Sequence, residues 1–446
     1  MSNELGQDQI ATYRQQFSAD KTARVAQNAV CANEIQSLTL SRTRVQTMDD
    51  SFSVKLDDWA VTHQRRSGRC WLFAALNLFR VGAMKAMNLN RFEFSQAHIH
   101  FWDKLERSNH FLETMIARAD QPVDDRTLHF MLSDPIGDGG QWNMAMNLIR
   151  KHGLVPKSAY PESHSSSETR WMNATLKEML RTAASEIRSL VETGESAEAV
   201  RAHKESRMAD IWRVLCIHLG TPPERFDWQW RDKDGVFHRD GLMTPQEFVA
   251  SYVTVDWEDY VCLVHDPRNP MYQTYTVDCL QNVAGGPPVV YLNIPIAEMK
   301  AITQRLLEDG TPVWMGCDVG KQMDRKRGLW DAELFESDAL YGVEFGMDKE
   351  TRLRFGQTMM THAMLFTGVD VVDGAPRRWR VENSWGDDNG VKGYYTMNDG
   401  WFDEYMFEIA APTQYLSDTM VAGLKTEPVV LPAWDPMGSL ARNRDG

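Results

Sequence analysis

The periodicity of the apolar residues changes partway along this chain of 446 residues. In the first half, apolar residues recur at helical spacing, most densely from Cys70 to Met87 and again over residues 166–215. From about residue 275 onward they form short β-branched and aromatic runs bounded by Gly, Pro, Asp and Asn, which is typical of strands. Helices followed by strands predict an α+β fold.

The charge and the cysteine content indicate the cellular compartment of the protein and the kinds of molecule that it could bind. The formal net charge is −14, which argues against non-specific binding to nucleic acid or to an anionic membrane. The first residues lack the features of a secretory signal, and no run of about 18 apolar residues predicts a membrane span. The 6 cysteines include no C-x-x-C pair and form no disulfide framework. We therefore expect a cytoplasmic protein with neither a membrane nor a nucleic acid as partner.

Cys70 stands at the predicted start of the most apolar helix. Free backbone N–H groups and the helix dipole stabilise a thiolate at such a position, and a thiolate is a competent nucleophile for acyl transfer. Gly68 lets the chain turn sharply before the helix, and Gln64, 6 residues upstream of Cys70, could direct its amide at a developing oxyanion. We predict Cys70 as a nucleophile and Gln64 as an oxyanion ligand. The alternative is a buried structural cysteine.

The second half supplies a base and a group that orients it. His362 opens a strand-like run, and Asn383 follows 21 residues later. A strand, a turn at Asp373-Gly374 and a return strand fit this interval, and such a hairpin sets the two side chains side by side. The Asn383 amide oxygen would hold one imidazole nitrogen while the other faces the sulfur. Trp385 would shield that contact from water.

Three motifs resemble those of the papain-like cysteine peptidases: Gln64 with Cys70-Trp71, His362-Ala363-Met364, and Glu382-Asn383-Ser384-Trp385-Gly386. The chain resembles more specifically the bleomycin hydrolase and aminopeptidase C group, over nearly its whole length. Further stretches that carry this resemblance are residues 94–96, 101–104, 138–142, 156–158, 231–234, 312–319 and 434–438.

The resemblance implies a two-lobed papain-like fold and a cysteine-type aminopeptidase that acts on peptides. Cys70, His362 and Asn383 would be its triad, without a metal or an organic cofactor. His362 lies 292 residues after Cys70, whereas ordinary secreted papain relatives have a spacing of about 130–150 residues. In the resembled group an inserted helical arm accounts for such a surplus and builds a homohexamer with an internal chamber.

These considerations divide the chain into five expected segments. In chain order they are an N-terminal arm (1–60), a helical lobe with the nucleophile (61–165), an inserted helical oligomerisation arm (166–250), a β-rich lobe with the base (251–430), and a C-terminal arm that enters the cleft (431–446).

The resemblance also assigns substrate contacts. Gly139 and Gly140 would line the cleft, where a side chain would obstruct an extended substrate, although an ordinary turn is the alternative. The C-terminal arm would lie in the cleft, with a terminal carboxylate that selects the substrate's amino group. Chains of this group usually end near the position of Ala441. We therefore expect that residues 442–446 are trimmed by the enzyme itself.

Other functions stay open at this point. They are an amidase or drug-detoxifying hydrolase with the same triad, a cysteine-dependent acyltransferase, and a catalytically silent assembly that binds peptides or nucleic acid. A metal site is not expected, because His98 and His100 would point about 200° apart on a helix and share no ligand face with Asp103 or His110.

Overall fold

Helices dominate the chain up to residue 219, and most strands lie beyond residue 260, so the predicted α+β class is confirmed. The structure is a computed structural model that describes residues 3–57 and 59–442, with the side chain of Arg442 left out. The helices are α1 (Gln7–Ala19), α2 (Lys21–Ala32), α3 (Ile35–Thr39), α4 (Arg42–Thr47), α5 (Cys70–Ala86), α6 (Gln96–Ala117), α7 (Arg126–Ser133), α8 (Trp142–His152), α9 (His164–Ser167), α10 (Arg170–Glu192), α11 (Ala197–Leu219), α12 (Pro245–Tyr252), α13 (Ile296–Glu308), α14 (Ser337–Tyr341), α15 (Lys349–Arg354), α16 (Asp399–Tyr405) and α17 (Asp418–Gly423).

The strands are β1 (Val54–Lys55), β2 (Phe226–Arg231), β3 (Phe237–Met243), β4 (Tyr260–Val264), β5 (Thr274–Val277), β6 (Tyr291–Asn293), β7 (Val313–Cys317), β8 (Met323–Asp324), β9 (Leu329–Trp330), β10 (His362–Val372), β11 (Ala375–Glu382), β12 (Tyr394–Asn398), β13 (Met406–Pro412) and β14 (Val429–Leu431). Short 3-10 helices span Trp257–Asp259, Thr413–Tyr415 and Pro436–Arg442.

Helix α5 is buried because its sequence is apolar on nearly every side. The predicted helix from Cys70 is confirmed, and it packs against α6 and α8 on one side and against β7 and β10 on the other. Trp71 and Phe79 are fully buried, and each contributes roughly 1.5–3 kcal/mol of hydrophobic stabilisation. This packing holds the first residue of α5 at the junction between the helices and the main sheet.

The helical block after residue 166 differs from its prediction in detail. It is divided into α10 and α11, because Gly194 takes a left-handed φ of +79° and Ser196 caps α11 by accepting the backbone N–H of Ala199 at 3.2 Å. Residues 166–250 also contain the hairpin β2–β3, whose first strand alternates buried and exposed side chains. The hairpin is a strand pair inside a segment that the sequence predicted as helical.

The main sheet has the strand order β14-β5-β6-β4-β13-β7-β10-β11-β12-β9-β8, with β1 also paired to β10. Alternate residues of β10 face opposite sides: Ala363 and Leu365 join the core under the helices, and Met364 and Phe366 join the core with α13 and α16. Both faces are therefore buried, which explains the continuous apolar run in β10. Strands β4 and β13, near the centre of this sheet, were not among the predicted strands.

The hairpin β10–β11 confirms the predicted turn. Asp373 and Gly374 both have positive φ, +52° and +80°, as a tight two-residue connection requires. Val372 pairs with Ala375 at the turn, and the register brings the start of β10 and the end of β11 together at the opposite end of the hairpin, where His362 and Asn383 lie. Within residues 3–57 and 59–442, no helix is both long enough and apolar enough to cross a membrane.

Candidate active site

Cys70 is the first residue of α5 and is fully buried. The backbone N–H of Ala363 lowers the pKa of this thiol, so the sulfur lies near the peptide unit that joins His362 to Ala363. Burial raises the pKa of the Cys70 thiol to about 11, and the backbone N–H groups of Ala363 and Trp71 act in the opposite direction. Folding thus brings together two segments that lie 292 residues apart in the sequence.

His362 is held by Asn383, as the hairpin predicted. The distance from His362 Nε2 to Asn383 Oδ1 is 2.9 Å, and the His362 side chain is buried. The backbone N–H of Ser384 also donates to Asn383 Oδ1, at 2.8 Å, which identifies this atom as the amide oxygen. Because the oxygen only accepts, the proton of a neutral His362 lies on Nε2, and Nδ1 keeps its lone pair.

Burial lowers the pKa of His362 to about 4, while the hydrogen bond to Asn383 opposes this shift. The indole of Trp385 lies against the imidazole of His362, with ring centroids 4.8 Å apart. Arg325 belongs to none of the sequence motifs, and its guanidinium lies 4.4 Å from the centre of the Trp385 ring. Its positive charge further lowers the pKa of His362.

Gln64 lies between the chain that precedes Cys70 and the chain that follows Asn383. Its Nε2 donates to the carbonyl of Ser67 at 2.5 Å, and its Oε1 accepts the hydroxyl of Ser384 at 2.6 Å. Its backbone N–H also donates to the carbonyl of Ser384 at 2.8 Å. A primary amide has two N–H groups, and the Ser67 carbonyl engages one of them. The side chain is therefore fixed in orientation beside the start of α5.

The two neighbouring glycines have different surroundings. A Cβ at Gly139 would lie 1.9 Å from the carbonyl oxygen of Leu440, in the C-terminal arm. A Cβ at Gly140 would lie 2.4 Å from the Trp71 ring. Gly139 therefore permits close approach of the arm backbone, whereas Gly140 permits close packing of Trp71 in the core.

The C-terminal arm contacts both sides of the site. Met437, Leu440 and Ala441 are buried in the same core as Cys70. The Ser439 hydroxyl donates to the carbonyl of Met360 at 2.7 Å, two residues before His362, while Leu440 lies against Gly139. The described end of the chain thus spans from the Gly139 segment to the strand that begins at His362. The expected trimming concerns residues 442–446, which lie outside the described residues apart from the backbone of Arg442.

Arg107 is a second site residue that belongs to none of the sequence motifs. Its Nη1 donates to the carbonyl of Ala441 at 3.2 Å, and its Nη2 donates to the carbonyl of Gly139. The buried carboxylate of Asp103, one turn earlier on α6, accepts from Arg107 Nε at 2.9 Å. The Asp-Arg spacing of four residues on a predicted helix was the available signal. Arg107 links the arm to the Gly139 backbone.

All six cysteines are free thiols. Among the residues that the structure describes, no group of three or more His, Cys, Asp or Glu side chains could hold a metal ion.

Comparison with known proteins identifies one family. The Peptidase C1-like family model matches residues 4–438. The chain is 41% identical to human bleomycin hydrolase over 452 aligned residues, covering 99% of each protein. It is also 41% identical to aminopeptidase C of Lactobacillus delbrueckii subsp. lactis, again with 99% of each covered. The crystal structure of PepW from Lactobacillus rhamnosis matches with a TM-score of 0.96 and 40% identity, covering 98% of this chain and 99% of that one. These matches confirm the predicted papain-like α+β fold.

Proposed function

We propose that Cys70, His362 and Asn383 form the catalytic triad of this chain, which belongs to the Peptidase C1-like family and is a cysteine aminopeptidase. The proposal rests on the way that folding brings the segments of these three residues together. The backbone N–H of Ala363 lies close enough to the Cys70 sulfur to lower its pKa, and the adjacent His362 is hydrogen-bonded to Asn383 at 2.9 Å. A nucleophile, a base and an orienting group are the parts that covalent acyl transfer needs.

Ionisation of the pair is a coupled event. Burial by itself favours the neutral thiol and the neutral imidazole. Transfer of one proton from Cys70 to His362 creates opposite charges in contact, and their mutual attraction at low dielectric offsets the loss of solvation. The start of α5 and the N–H of Ala363 stabilise the thiolate, and the Asn383 oxygen stabilises the imidazolium.

The thiolate would then attack the first peptide carbonyl, and a carbon–sulfur bond forms as the C=O electron pair moves to oxygen. The Cys70 backbone N–H and the Gln64 amide would stabilise that oxyanion. His362 gives its proton to the departing amine as the peptide C–N bond breaks. His362 then takes a proton from water as the water oxygen attacks the thioester carbon. The carbon–sulfur bond breaks, which regenerates the Cys70 thiolate and releases the N-terminal residue with a free carboxyl group.

Substitution of Cys70 tests this assignment. Cys70→Ser should reduce kcat by at least about 1,000-fold, as removal of a covalent nucleophile does, without loss of folding. Cys31→Ser is the matched control, because Cys31 is an exposed free thiol on α2. A thiol-directed peptidyl inhibitor should label the wild-type protein and Cys31→Ser but not Cys70→Ser. Substantial hydrolysis by folded Cys70→Ser would refute the proposal.

Restriction to peptide N-termini is proposed to come from the C-terminal arm. Leu440 and Ala441 are buried beside Gly139, and Arg107 binds the Ala441 carbonyl. An arm in this place limits the number of substrate residues that fit, and a terminal carboxylate on or near Ala441 would attract the substrate ammonium. If the chain kept Arg442, the cation there would repel that ammonium.

Two measurements test the role of the arm. Peptides with a free N-terminus should be cleaved, whereas the same peptides with an acetylated N-terminus should not. The intact mass of a fully active preparation should correspond to a chain that ends on or near Ala441. Full-length mass together with full aminopeptidase activity would contradict trimming.

The proposed assembly is a cytoplasmic homohexamer. Helices α1 and α2 bury none of their residues in the single chain, and apolar side chains such as Tyr13, Phe17 and Ile217 are exposed. Such surfaces favour contacts with further copies, and six free thiols favour a reducing compartment. Light scattering coupled to size-exclusion chromatography should give six times the chain mass of 51.1 kDa.

A further inference from the structure

The carboxylate of Glu382 lies at the end of β11, directly before Asn383, and is fully buried. It accepts Arg80 Nη2 at 2.6 Å and Asn77 Nδ2 at 2.8 Å. It also accepts the indole N–H of Trp59. One buried carboxylate therefore receives donors from two different parts of the chain.

Two of these donors belong to the helix that begins with Cys70. Asn77 and Arg80 are three residues apart on α5, so they lie on one face of the helix. A rise of about 1.5 Å per residue puts Asn77 about 10 Å along the axis from Cys70. Glu382 thus acts at a distance from the sulfur and cannot contact the reacting atoms directly.

The remaining contacts extend the network to the segment that carries Gln64. Asn77 Nδ2 also donates to the Thr62 hydroxyl at 2.9 Å, and Arg80 Nη1 donates to the carbonyl of Ala60 at 3.0 Å. Trp59 lies in the same segment. Three chain segments therefore meet at Glu382. They carry the nucleophile Cys70, the orienting amide of Asn383 and the oxyanion amide of Gln64.

The chemistry of this network favours a geometric role. A buried ion pair contributes little net stability compared with apolar packing of the same volume, because desolvation offsets the attraction. Its hydrogen bonds are directional, however, so they fix the position of α5 relative to the end of β11 more narrowly than apolar contacts would. The catalytic groups sit at the ends of these two elements.

We propose that Glu382 is a positioning residue for the reaction, and that it sets the register between the start of α5 and the Asn383–His362 pair through Arg80 and Asn77. This inference rests on the triad proposed above. A displacement of about 1 Å between catalytic groups can reduce a rate by about 100-fold.

The test is Glu382→Gln, which keeps the shape and one acceptor oxygen but removes the charge that Arg80 requires. We expect kcat to fall about 10- to 100-fold with KM within about twofold, because Glu382 does not touch the substrate. The basic limb of the pH profile of kcat/KM should also move to lower pH. A displaced Asn383 holds the imidazolium less well, so His362 loses its proton more easily.

Asp370→Asn is the matched control, because Asp370 pairs with Arg377 on the same hairpin but near its turn. This variant should keep the wild-type kcat and pH profile. Active-site titration with an irreversible thiol reagent corrects both variants for the fraction of active protein. Arg80→Lys, which keeps a cation, should recover part of the activity that Arg80→Met loses.

If Glu382→Gln fails to fold, Asn77→Ser provides a milder break in the same network, and its kcat should fall about 3- to 10-fold. Folded Glu382→Gln with wild-type kcat and an unchanged pH profile would overturn the inference, as would an unchanged kcat in Asn77→Ser. A failure of this kind is distinct from failure of the triad, since Cys70→Ser would still be inactive.

Discussion

Gly139→Ala should release the C-terminal arm without altering the catalytic groups. The added Cβ would lie 1.9 Å from the Leu440 carbonyl oxygen and 3.3 Å from the Ala441 carbonyl carbon. Non-bonded heavy atoms reach their optimum at about 3.5–4.0 Å, so the arm must retreat by more than about 1 Å. Gly139 does not have a positive φ, so the perturbation is steric and not conformational.

The cost of this overlap can be bounded. Introducing a methyl group into a packed site costs about 1–3 kcal/mol. If the whole cost falls on the docked arm, its ratio of docked to released states decreases about 5- to 150-fold, since 1.4 kcal/mol corresponds to a factor of ten. The contact between Arg107 and the Ala441 carbonyl would be lost in the same movement.

The assay compares kcat/KM for one peptide with a free N-terminus and for its N-acetylated form. In Gly139→Ala we expect this selectivity ratio to fall by up to the same factor of about 5–150, because a released arm neither blocks the cleft nor attracts the ammonium. The ratio is the informative quantity, since a methyl group that also hindered substrate binding would lower both rates.

Gly400→Ala is the matched control, because no heavy atom lies within 4 Å of a Cβ added there in α16. It should leave the ratio and the stability near their wild-type values. A folded Gly139→Ala variant with the wild-type ratio would refute the reasoning that Gly139 accommodates a functional arm.

Three further predictions concern the base, a buried carboxyl group and a helix cap. Asn383→Ala should reduce kcat about 100-fold, because His362 loses the partner that orients it, and kinetics with active-site titration checks this. Burial raises the pKa of Glu408 from 4.5 to about 8, so the unfolded chain releases its proton at lower pH than the folded chain. The free energy of unfolding of the wild type, relative to that of Glu408→Gln, should therefore fall by about 1.4 kcal/mol per pH unit as pH rises from about 5 to 8. Denaturant titrations of both proteins at about pH 5 and 8 measure this, and an equal difference in unfolding free energy at the two pH values would contradict it. Ser95→Ala should lower the free energy of unfolding by about 1 kcal/mol, because the backbone N–H of His98 in α6 loses its capping acceptor. A Tm equal to that of the wild type would exclude this effect.

Local patterns in the sequence were sufficient for several elements. The apolar density after Cys70 predicts a buried helix because periodicity and burial are properties of contiguous residues. Ser95 caps α6 through an equally local interaction, since the capping bond to His98 spans only three residues. The turn at Asp373-Gly374 likewise depends on local backbone conformation. Once that hairpin is fixed, its register brings His362 and Asn383 together.

Strands β4 and β13 show where local patterns were insufficient. Their short buried runs, Tyr260–Val264 and Met406–Pro412, lack an alternating pattern because both faces are covered. Their place at the centre of the sheet follows from pairing with each other and with β6 and β7. Gly140 is a similar case, because the need for glycine there comes from the Trp71 ring, which is distant in sequence.

The sequence by itself determined which groups are available for chemistry and which helix or strand carries each of them, because spacing and periodicity act over a few residues. Only the tertiary structure decided that the sulfur of Cys70 lies near the backbone N–H of Ala363, that Arg107 binds Ala441, and that Glu382 joins α5 to β11. Those contacts join residues about 300 positions apart. They depend on how whole elements pack, a property that no local pattern records.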